Sequence, residues 1–244
     1  MNLIIDIGNT QTKVAVFDAG EVVQTICMEE LSPKRLNDIR LLYPGLTKAI
    51  LSSVADADAA LLKSLREEFG FFVEFNHQTP VPIENGYRSP ETLGLDRMAA
   101  AVGGITVFPG KDLLVIDAGT ALTMDMVDKN GRFLGGNISP GLNMRFRALH
   151  EFTKRLPEVE RLEQWAEVGN TTETAIRAGV QNGMIFEMDG MIDRVKKEWT
   201  SCQIILTGGD SFFFDKKLKN TIFVKFEITL IGLNRILEYN AEKN

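Results

Sequence analysis

Three aspartates are the residues of this sequence best placed to do chemistry. Each lies beside a glycine turn or at the predicted start of a helix, and they are Asp6, Asp96 and Asp117. The only histidines are His77 and His150, which excludes a histidine-rich metal site and argues against a Ser-His-Asp hydrolase. Phosphoryl transfer to an alcohol needs mainly positioned groups and neutralised charge, with one carboxylate accepting the hydroxyl proton. Three carboxylates placed in this way are sufficient for that reaction.

The first aspartate ends an apolar run near the N-terminus. The pattern over Leu3–Phe17 predicts a strand, a tight turn and a second strand. The turn Gly8–Thr10 suits a polyphosphate, because glycine lets the backbone approach a ligand while backbone N–H groups and side chains act as donors. Asp6 would then hold Mg²⁺, directly or through water, and Lys13 would meet a phosphate. The alternative is that Asp6 only makes a side-chain turn and that Lys13 is a solvated strand residue.

A second copy of this pattern occurs in the middle of the chain. Leu114–Thr120 repeats the apolar run, carboxylate, glycine and threonine, one residue shorter, and the alternating run Leu122–Asp128 follows. Both copies then continue through a glycine turn, at Gly20 and Gly131, into a third apolar run. Two like units that each offer a carboxylate-tipped turn predict a nucleotide held in the cleft between them.

The third aspartate, Asp96, precedes the small and apolar segment Met98–Val102, so it is predicted near a helix N-terminus. The helix dipole stabilises a carboxylate there, which suits a general base. The alternative is an ordinary N-terminal pair of Asp96 and Arg97. Tyr87 lies at the tip of a predicted loop over residues 80–90, where ordinary loop packing would also explain it.

Composition limits the possible partners. The chain has 244 residues, of which 44% are apolar, and a formal net charge of −6. This fits a globular protein and argues against binding to nucleic acid. Neither a GxxxxGK[ST] nor a GxGxxG motif occurs, which excludes a P-loop. Cys27 and Cys202 lie in separate apolar runs, so both are predicted to be reduced core thiols of a cytoplasmic protein. No membrane span or targeting signal is predicted.

The elements that must position these residues follow from alternating strand and helix signals. The first half is predicted as three strands, a helix, a strand, a helix and a strand, which indicates an α/β sheet with right-handed crossovers. Two half-domains are expected, residues 1–110 and 111–244. The duplicated turns and these signals together predict an α/β fold of two like domains.

Four further stretches carry weaker functional signals. Gly135-Gly136 is expected to form a turn ahead of a strand, with close approach to substrate as the alternative. Asn170–Glu173 predicts a helix start, for which capping is a sufficient reason. Thr207–Asp210 predicts a strand-to-helix turn that could lie under an adenosine. Pro157–Val168 has the weakest pattern.

Four motifs together resemble those of one known family. In order, they are Asp6–Lys13, Gly94–Arg97, Asp117–Ala121 and Gly135–Gly141. Over nearly its whole length the chain is similar to the type III pantothenate kinases. The resemblance implies duplicated ribonuclease H-like domains of the actin-like ATPase superfamily, which includes acetate and sugar kinases and heat-shock ATPases. It also implies ATP-dependent phosphorylation of pantothenate, the first step of coenzyme A biosynthesis.

The same resemblance implies roles for individual residues. Asp96 would accept the proton, Asp117 would hold K⁺ or NH₄⁺, and Thr172 would be contributed by the second subunit of a homodimer. The residues alone would have favoured Mg²⁺ at Asp117. The nucleotide contacts, with Mg²⁺ accompanying ATP, would come from Asp6, Ile7, Gly8, Asn9, Thr10, Gln11, Thr12, Lys13 and Thr120. Pantothenate would be held by Tyr87, Gly94, Leu95, Asp96 and Arg97 together with Thr172.

Two other functions are compatible with the same fold, because a fold does not determine a function. One is a nucleotide-binding regulator of transcription, although the acidic charge argues against direct DNA contact and the Asp96-Arg97 pair favours catalysis. The other is a related kinase that acts on another small alcohol or a sugar.

Overall fold

The computed structural model describes residues 1–54 and 58–243. The described chain divides into two units. Unit 1 contains Met1–Pro109, Gly131–Phe133 and the residues from Glu227 onward, and unit 2 contains Gly110–Asn130 and Leu134–Phe226. The division of the sequence between residues 110 and 111 stays a prediction.

Unit 1 is built on a five-stranded sheet with the strand order β3-β2-β1-β4-β5. Strands β1, β2 and β3 are antiparallel neighbours, whereas β1, β4 and β5 run parallel to one another. The elements of this unit are β1 (Asn2–Ile7), β2 (Thr12–Asp18), β3 (Glu21–Met28), α1 (Pro33–Leu42), β4 (Lys48–Ser53), α2 (Ala59–Glu68), β5 (Phe71–Glu74), β6 (Glu84–Asn85), a single 3-10 turn (Pro90–Thr92), α3 (Leu95–Val107) and α7 (Ile228–Ala241).

Helices α1 and α2 begin at residues whose side chains cap them. The hydroxyl of Ser32 accepts from the Arg35 N–H at the start of α1, and the carboxylate of Asp58 caps α2. Helices α3 and α7 pack directly on each other, because Gly103 and Gly232 leave no room for a side chain between their backbones. This contact fixes α3, the helix that carries Asp96.

Unit 2 contains most of a second sheet, whose strand order is β11-β10-β7-β8-β9-β6. Strand β7 is antiparallel to β8 and parallel to β10, which is parallel to β11. The elements are β7 (Leu113–Ala118), β8 (Ala121–Val127), β9 (Arg132–Pro140), α4 (Leu142–Glu151), α5 (Thr172–Glu198), β10 (Gln203–Thr207), α6 (Ser211–Asp215) and β11 (Phe223–Val224). Strands β9-β8-β7-β10-β11 repeat the strand order of unit 1, and the directions of β8, β7, β10 and β11 match those of β2, β1, β4 and β5. This confirms the predicted α/β fold with two sheets.

Two local predictions were wrong. Gly135 and Gly136 lie inside β9 rather than ahead of a strand. A side chain on Gly136 would overlap Asp125 of the neighbouring strand, so close strand packing accounts for this glycine. Cys27 is exposed on the edge strand β3, whereas Cys202 is buried as predicted. Burial raises the pKa of the Cys202 thiol to about 11, and the charge of Asp112 adds to that shift.

Among the described residues, no helix combines the length and the apolar character that crossing a bilayer requires.

Candidate active site

In unit 1 the end of β1 carries the first aspartate turn, defined here as Asp6–Thr10. Asp6 lies directly opposite Lys13 on β2. The turn is closed by a hydrogen bond of 3.1 Å from the Gly8 N–H to the Gln11 carbonyl oxygen, and Asn9 is exposed. Exposed backbone of this turn therefore lies beside one positive and one negative side chain, Lys13 and Asp6.

The carboxyl group of Asp6 has a strongly shifted pKa. The pKa is raised from its ordinary value of 3.8 to about 6; desolvation by burial is the largest cause, Lys13 lowers the pKa in part, and the negative charge of Asp96 raises it. Burial disfavours the charged form of a carboxyl group, and a like charge nearby does the same. Asp6 is therefore poised to titrate near neutral pH, and a cation or a bound metal would favour its ionised form.

Asp96 lies in the first turn of α3, whose N-terminal cap is Gly94. Its side chain is exposed, and Oδ1 accepts a 2.8 Å hydrogen bond from the Arg97 N–H. The effect of Asp96 on the Asp6 pKa places the two carboxylates in one electrostatic environment. Leu95, the first residue of α3, lines a small cavity with Phe75 and Met98. A carboxylate that is exposed and held by the helix end is suited to receive a proton from a substrate.

Arg97 packs beside two neighbouring aromatic rings. Its side chain is 5% exposed, and its Cζ atom lies 5.5 Å from the ring centroid of Tyr87 and 5.8 Å from that of Phe133. Tyr87 follows the two-residue strand β6, which lies within the stretch predicted to be a loop. Its backbone N–H donates to Asn85 Oδ1 at 3.0 Å. The acceptor-binding residues predicted at 87 and 97 are thus in contact, and Phe133 joins them.

In unit 2 the end of β7 carries the second aspartate turn, defined here as Asp117–Thr120. The turn is closed by a 3.1 Å hydrogen bond from the Gly119 N–H to the Ala121 carbonyl oxygen. Gly141, which caps α4, donates its N–H to the Thr120 carbonyl oxygen at 3.1 Å and has no room for a side chain. Thr120 itself is exposed.

Gly208 packs against the same turn from the end of β10. Its φ is +94°, and a Cβ atom there would lie 2.5 Å from the Ala118 carbonyl group and would overlap Asp117. Only glycine adopts such a φ without strain. The next residue, Gly209, is exposed and has open space around it. The sequence thus identified the Gly208 turn, but not its contact with Asp117.

Asp210 closes this turn with an ion pair to Arg161 of the segment that follows α4. The Arg161 Nη1 atom lies 2.5 Å from Asp210 Oδ1. Burial raises the pKa of Asp210, and Arg161 opposes that shift. The segment Pro157–Val168, which had the weakest pattern, contains no helix or strand and is bound instead to α5, where Gln181 exchanges hydrogen bonds of 3.0 Å with the backbone of Leu162.

Thr172 is the first residue of α5. Thr171 is the N-terminal cap, and Thr171 and Thr174 form a reciprocal capping box, which confirms the predicted helix start. Thr172 is exposed and lines a surface hollow with Arg155 and Pro157. The capping box accounts for Thr171 and Thr174 and does not involve the Thr172 side chain.

The predicted site residues thus fall into two groups, one in each unit. Unit 1 brings Asp6, Lys13 and Asp96 together, and unit 2 brings Asp117 against Gly208. Of the remaining predicted nucleotide contacts, Ile7 ends β1 and Thr12 begins β2, where the buried Thr12 hydroxyl donates to the Glu29 carbonyl oxygen at 3.4 Å. Within the described part of the chain, no three His, Cys, Asp or Glu side chains form a cluster that could hold a metal ion.

Solved structures with a similar fold define the class. A Campylobacter jejuni protein described as a Baf family transcriptional activator aligns with a TM-score of 0.63 at 22% identity, covering 98% of this chain and 99% of that one. A glucokinase from an Antarctic psychrotroph aligns with a TM-score of 0.55 at 11% identity, covering 98% of each chain. At such identities the likeness concerns the fold alone, an α/β fold with two mixed sheets.

Sequence comparison then gives the family. The family model described as type III pantothenate kinase matches residues 2–194. A type III pantothenate kinase of Phocaeicola vulgatus is 47% identical over 240 residues, covering 98% of this chain and 99% of the relative. One of Flavobacterium johnsoniae is 38% identical and covers 100% of both chains. The chain belongs to the type III pantothenate kinase family, as the four sequence motifs predicted. It is a phosphotransferase of coenzyme A biosynthesis, and its family implies ATP and pantothenate as substrates.

Proposed function

We propose that this chain transfers a phosphoryl group from ATP to the hydroxyl group of pantothenate, with Asp96 as the general base. The observation that carries the proposal is the pairing of two carboxylates in unit 1. Asp96 is exposed at the start of α3, and its charge adds to the rise in the Asp6 pKa that burial causes, while Lys13 lies directly opposite Asp6. One carboxylate can accept a proton while the other belongs to a phosphate-binding turn.

Different groups of this chain would have different roles in the reaction. Donors of the first aspartate turn and Lys13 would bind and orient the phosphates, so that little covalent chemistry is left to the protein. Asp96 would accept the hydroxyl proton as the oxygen–phosphorus bond forms. ATP supplies the phosphoryl group when bound, and the accompanying Mg²⁺ neutralises phosphate charge. Asp6 fits a role beside that ion, because a cation would favour its ionised form.

Pantothenate would be bound on the side of α3 that carries Tyr87 and Arg97. The Arg97 guanidinium suits the carboxylate of this substrate, since arginine can bind a carboxylate through two parallel hydrogen bonds. Gly94 and Leu95 precede Asp96 in the same turn. The acceptor hydroxyl would thus be presented to Asp96 by the neighbouring residues of one helix end.

The second aspartate turn would serve the nucleoside end of ATP. Thr120 is an exposed donor, and Gly209 offers open backbone next to the turn. At Asp117 the family resemblance implies a monovalent cation, K⁺ or NH₄⁺, and this carboxylate lies against the backbone turn at Gly208.

A homodimer that contributes Thr172 to the partner's site is also part of the proposal. Thr172 is exposed in the first turn of α5. Unit 2 further exposes the large apolar side chains of Ile138, Met144 and Phe186, which a second copy would bury. Sedimentation should give a dimer, and a fully active monomer would contradict this point.

The test of the central role is the variant Asp96→Asn. We expect kcat to fall by roughly two to four decades while the dissociation constant of ATP changes little, because the amide keeps the shape of the side chain but accepts no proton. Asp18→Asn, which changes an exposed carboxylate at the end of β2, should leave kcat unchanged. Turnover like that of the wild type in Asp96→Asn would remove this residue from the mechanism.

The choice of acceptor needs a separate experiment. ATP consumption is measured with pantothenate and with a panel of small alcohols and sugars under the same conditions. Turnover with pantothenate alone supports the proposal, and preferred turnover of a sugar would assign a different kinase activity. Binding of ATP without turnover of any acceptor would favour a regulator.

A further inference from the structure

Phe133 is a buried aromatic residue that neither the motifs nor the proposed mechanism uses. It is 0% exposed and lies near the start of β9, directly opposite Asn85 of β6. Its ring meets Tyr87 edge to face, with the centroids 6.1 Å apart and the planes at 69°. The Arg97 guanidinium carbon lies 5.8 Å from its centroid. One side chain therefore contacts both residues that are expected to hold the acceptor.

The backbone of Phe133 fixes the same loop. The Gly86 N–H donates to the Phe133 carbonyl oxygen at 3.0 Å. A Cβ atom on Gly86 would lie 2.6 Å from that oxygen, so the loop backbone lies directly against β9. The adjacent Arg132 pairs with Glu84 at 3.1 Å. The tip that carries Tyr87 is thus held to β9 by backbone and side-chain contacts on consecutive residues.

We propose that Phe133 is a positioning residue of the acceptor site, which it serves by holding the Arg97 guanidinium and the Tyr87 ring in one arrangement. A cation within about 6 Å of a ring centroid is attracted by the negative face of the ring, and edge-to-face aromatic pairs have a preferred geometry. Phe133 does not touch the substrate. This inference rests on the proposed function, because it assumes that Arg97 and Tyr87 bind pantothenate.

The competing explanation is that Phe133 only fills volume. Phe17 on β2 offers a matched control, since it is also a phenylalanine of unit 1 and is 1% exposed. Changing either residue to leucine removes a ring from a fully buried position. Both variants should lose stability to a similar degree, because the loss depends mainly on the buried atoms removed. Only Phe133→Leu should alter the acceptor site.

The experiment is steady-state kinetics of the full chain with each substrate varied in turn. We expect Phe133→Leu to raise KM for pantothenate about tenfold, a loss between those of exposed and of desolvated cation–π contacts. KM for ATP should stay within about twofold, because the first aspartate turn is unchanged. Phe17→Leu should leave both KM values unchanged, and Phe133→Tyr, which retains the ring, should restore most of the pantothenate affinity.

Equal kinetics in Phe133→Leu and Phe17→Leu would overturn the proposal, and so would equal rises in both KM values. If Phe133→Leu does not fold, NMR of the wild type tests the proposal instead. The chemical shifts of the Arg97 side-chain protons must then be displaced by the ring currents of the two neighbouring rings. Absence of that displacement would also overturn the proposal. If the wild type does not phosphorylate pantothenate, the proposed function itself fails. If the wild type is active and Phe133→Leu leaves KM for pantothenate unchanged, only the role of Phe133 fails.

Discussion

The two aspartate turns share a sequence pattern and the same place in their sheets, yet their surroundings differ. At the first aspartate turn, Asp6 lies opposite Lys13. Burial raises the pKa of Asp6 to about 6, and the negative charge of Asp96 contributes to that rise. At the second aspartate turn, the backbones of Gly141 and Gly208 pack against the turn with no room for side chains. The first aspartate turn thus has charged side chains beside it, whereas the second is packed against the backbone of neighbouring glycines.

The parallel strands beside the two turns also differ. Asp6 and Ile7 pair with Ser52 and Ser53 of β4, whereas Asp117 pairs with Thr207 of β10, after which Gly208 follows. A glycine at this position lets the backbone turn sharply against Asp117 and leaves Gly209 open. We infer that the duplicated turns have separate tasks: the first handles phosphates and proton transfer, and the second holds the nucleoside. The following predictions test this separation, beginning with the largest expected effect.

Gly208→Ala should be strongly destabilising. Its φ is +94° and the new Cβ atom would lie 2.5 Å from the backbone of Ala118, so we expect a loss of about 3 kcal/mol in the free energy of unfolding. Gly209→Ala, one residue further, meets nothing within 4 Å and should change stability by less than about 0.5 kcal/mol. Denaturant unfolding measures both, and equal effects would contradict the close packing of the second aspartate turn.

Asp6→Asn should stabilise the protein at neutral pH while it impairs catalysis. Burial raises the Asp6 pKa from 3.8 to about 6, so the folded chain binds this proton more tightly than the unfolded chain. Ionisation of Asp6 therefore lowers the free energy of unfolding by about 2–3 kcal/mol above pH 6. Well below the pKa that Asp6 has in the unfolded chain, this loss disappears. Unfolding curves across this pH window should show the variant's advantage grow as pH rises from 3.8 to about 6. If Asp6→Asn were more stable than the wild type by the same amount at acidic pH, the raised pKa of Asp6 would be contradicted.

Gly8→Ala should have the smallest effect on stability. Its Cβ atom would lie 3.3 Å from the Gln11 carbonyl oxygen, so a small local adjustment suffices and we expect a loss below about 1 kcal/mol. KM for ATP should nevertheless rise, because the side chain would stand between the turn and a phosphate. Gly70→Ala, whose Cβ atom would meet only an oxygen at 3.7 Å, is the matched control. Unchanged ATP kinetics in Gly8→Ala would argue against phosphate binding at this turn.

The sequence predicted the features that depend on local pattern. The duplicated strand, carboxylate and glycine signals gave the fold of both sheets, and the threonines near residue 172 gave the start of α5. The features it missed depend on pairings between distant residues. Phe133 meets Asn85 across a sheet and Gly208 meets Asp117, and no short-range signal marks such pairings. Cys27 was misassigned because the apolar character of a strand does not reveal that the strand lies at a sheet edge.

Amide hydrogen exchange with parts of the nucleotide tests the separation of tasks most directly. Inorganic tripolyphosphate should slow exchange in the first aspartate turn, at residues 8–11, and leave Gly208–Asp210 unchanged. Adenosine should slow exchange at Gly208–Asp210 and leave the first aspartate turn unchanged, and ATP should slow both. Protection of Gly208–Asp210 by tripolyphosphate, or no protection of the first aspartate turn by ATP, would contradict the account.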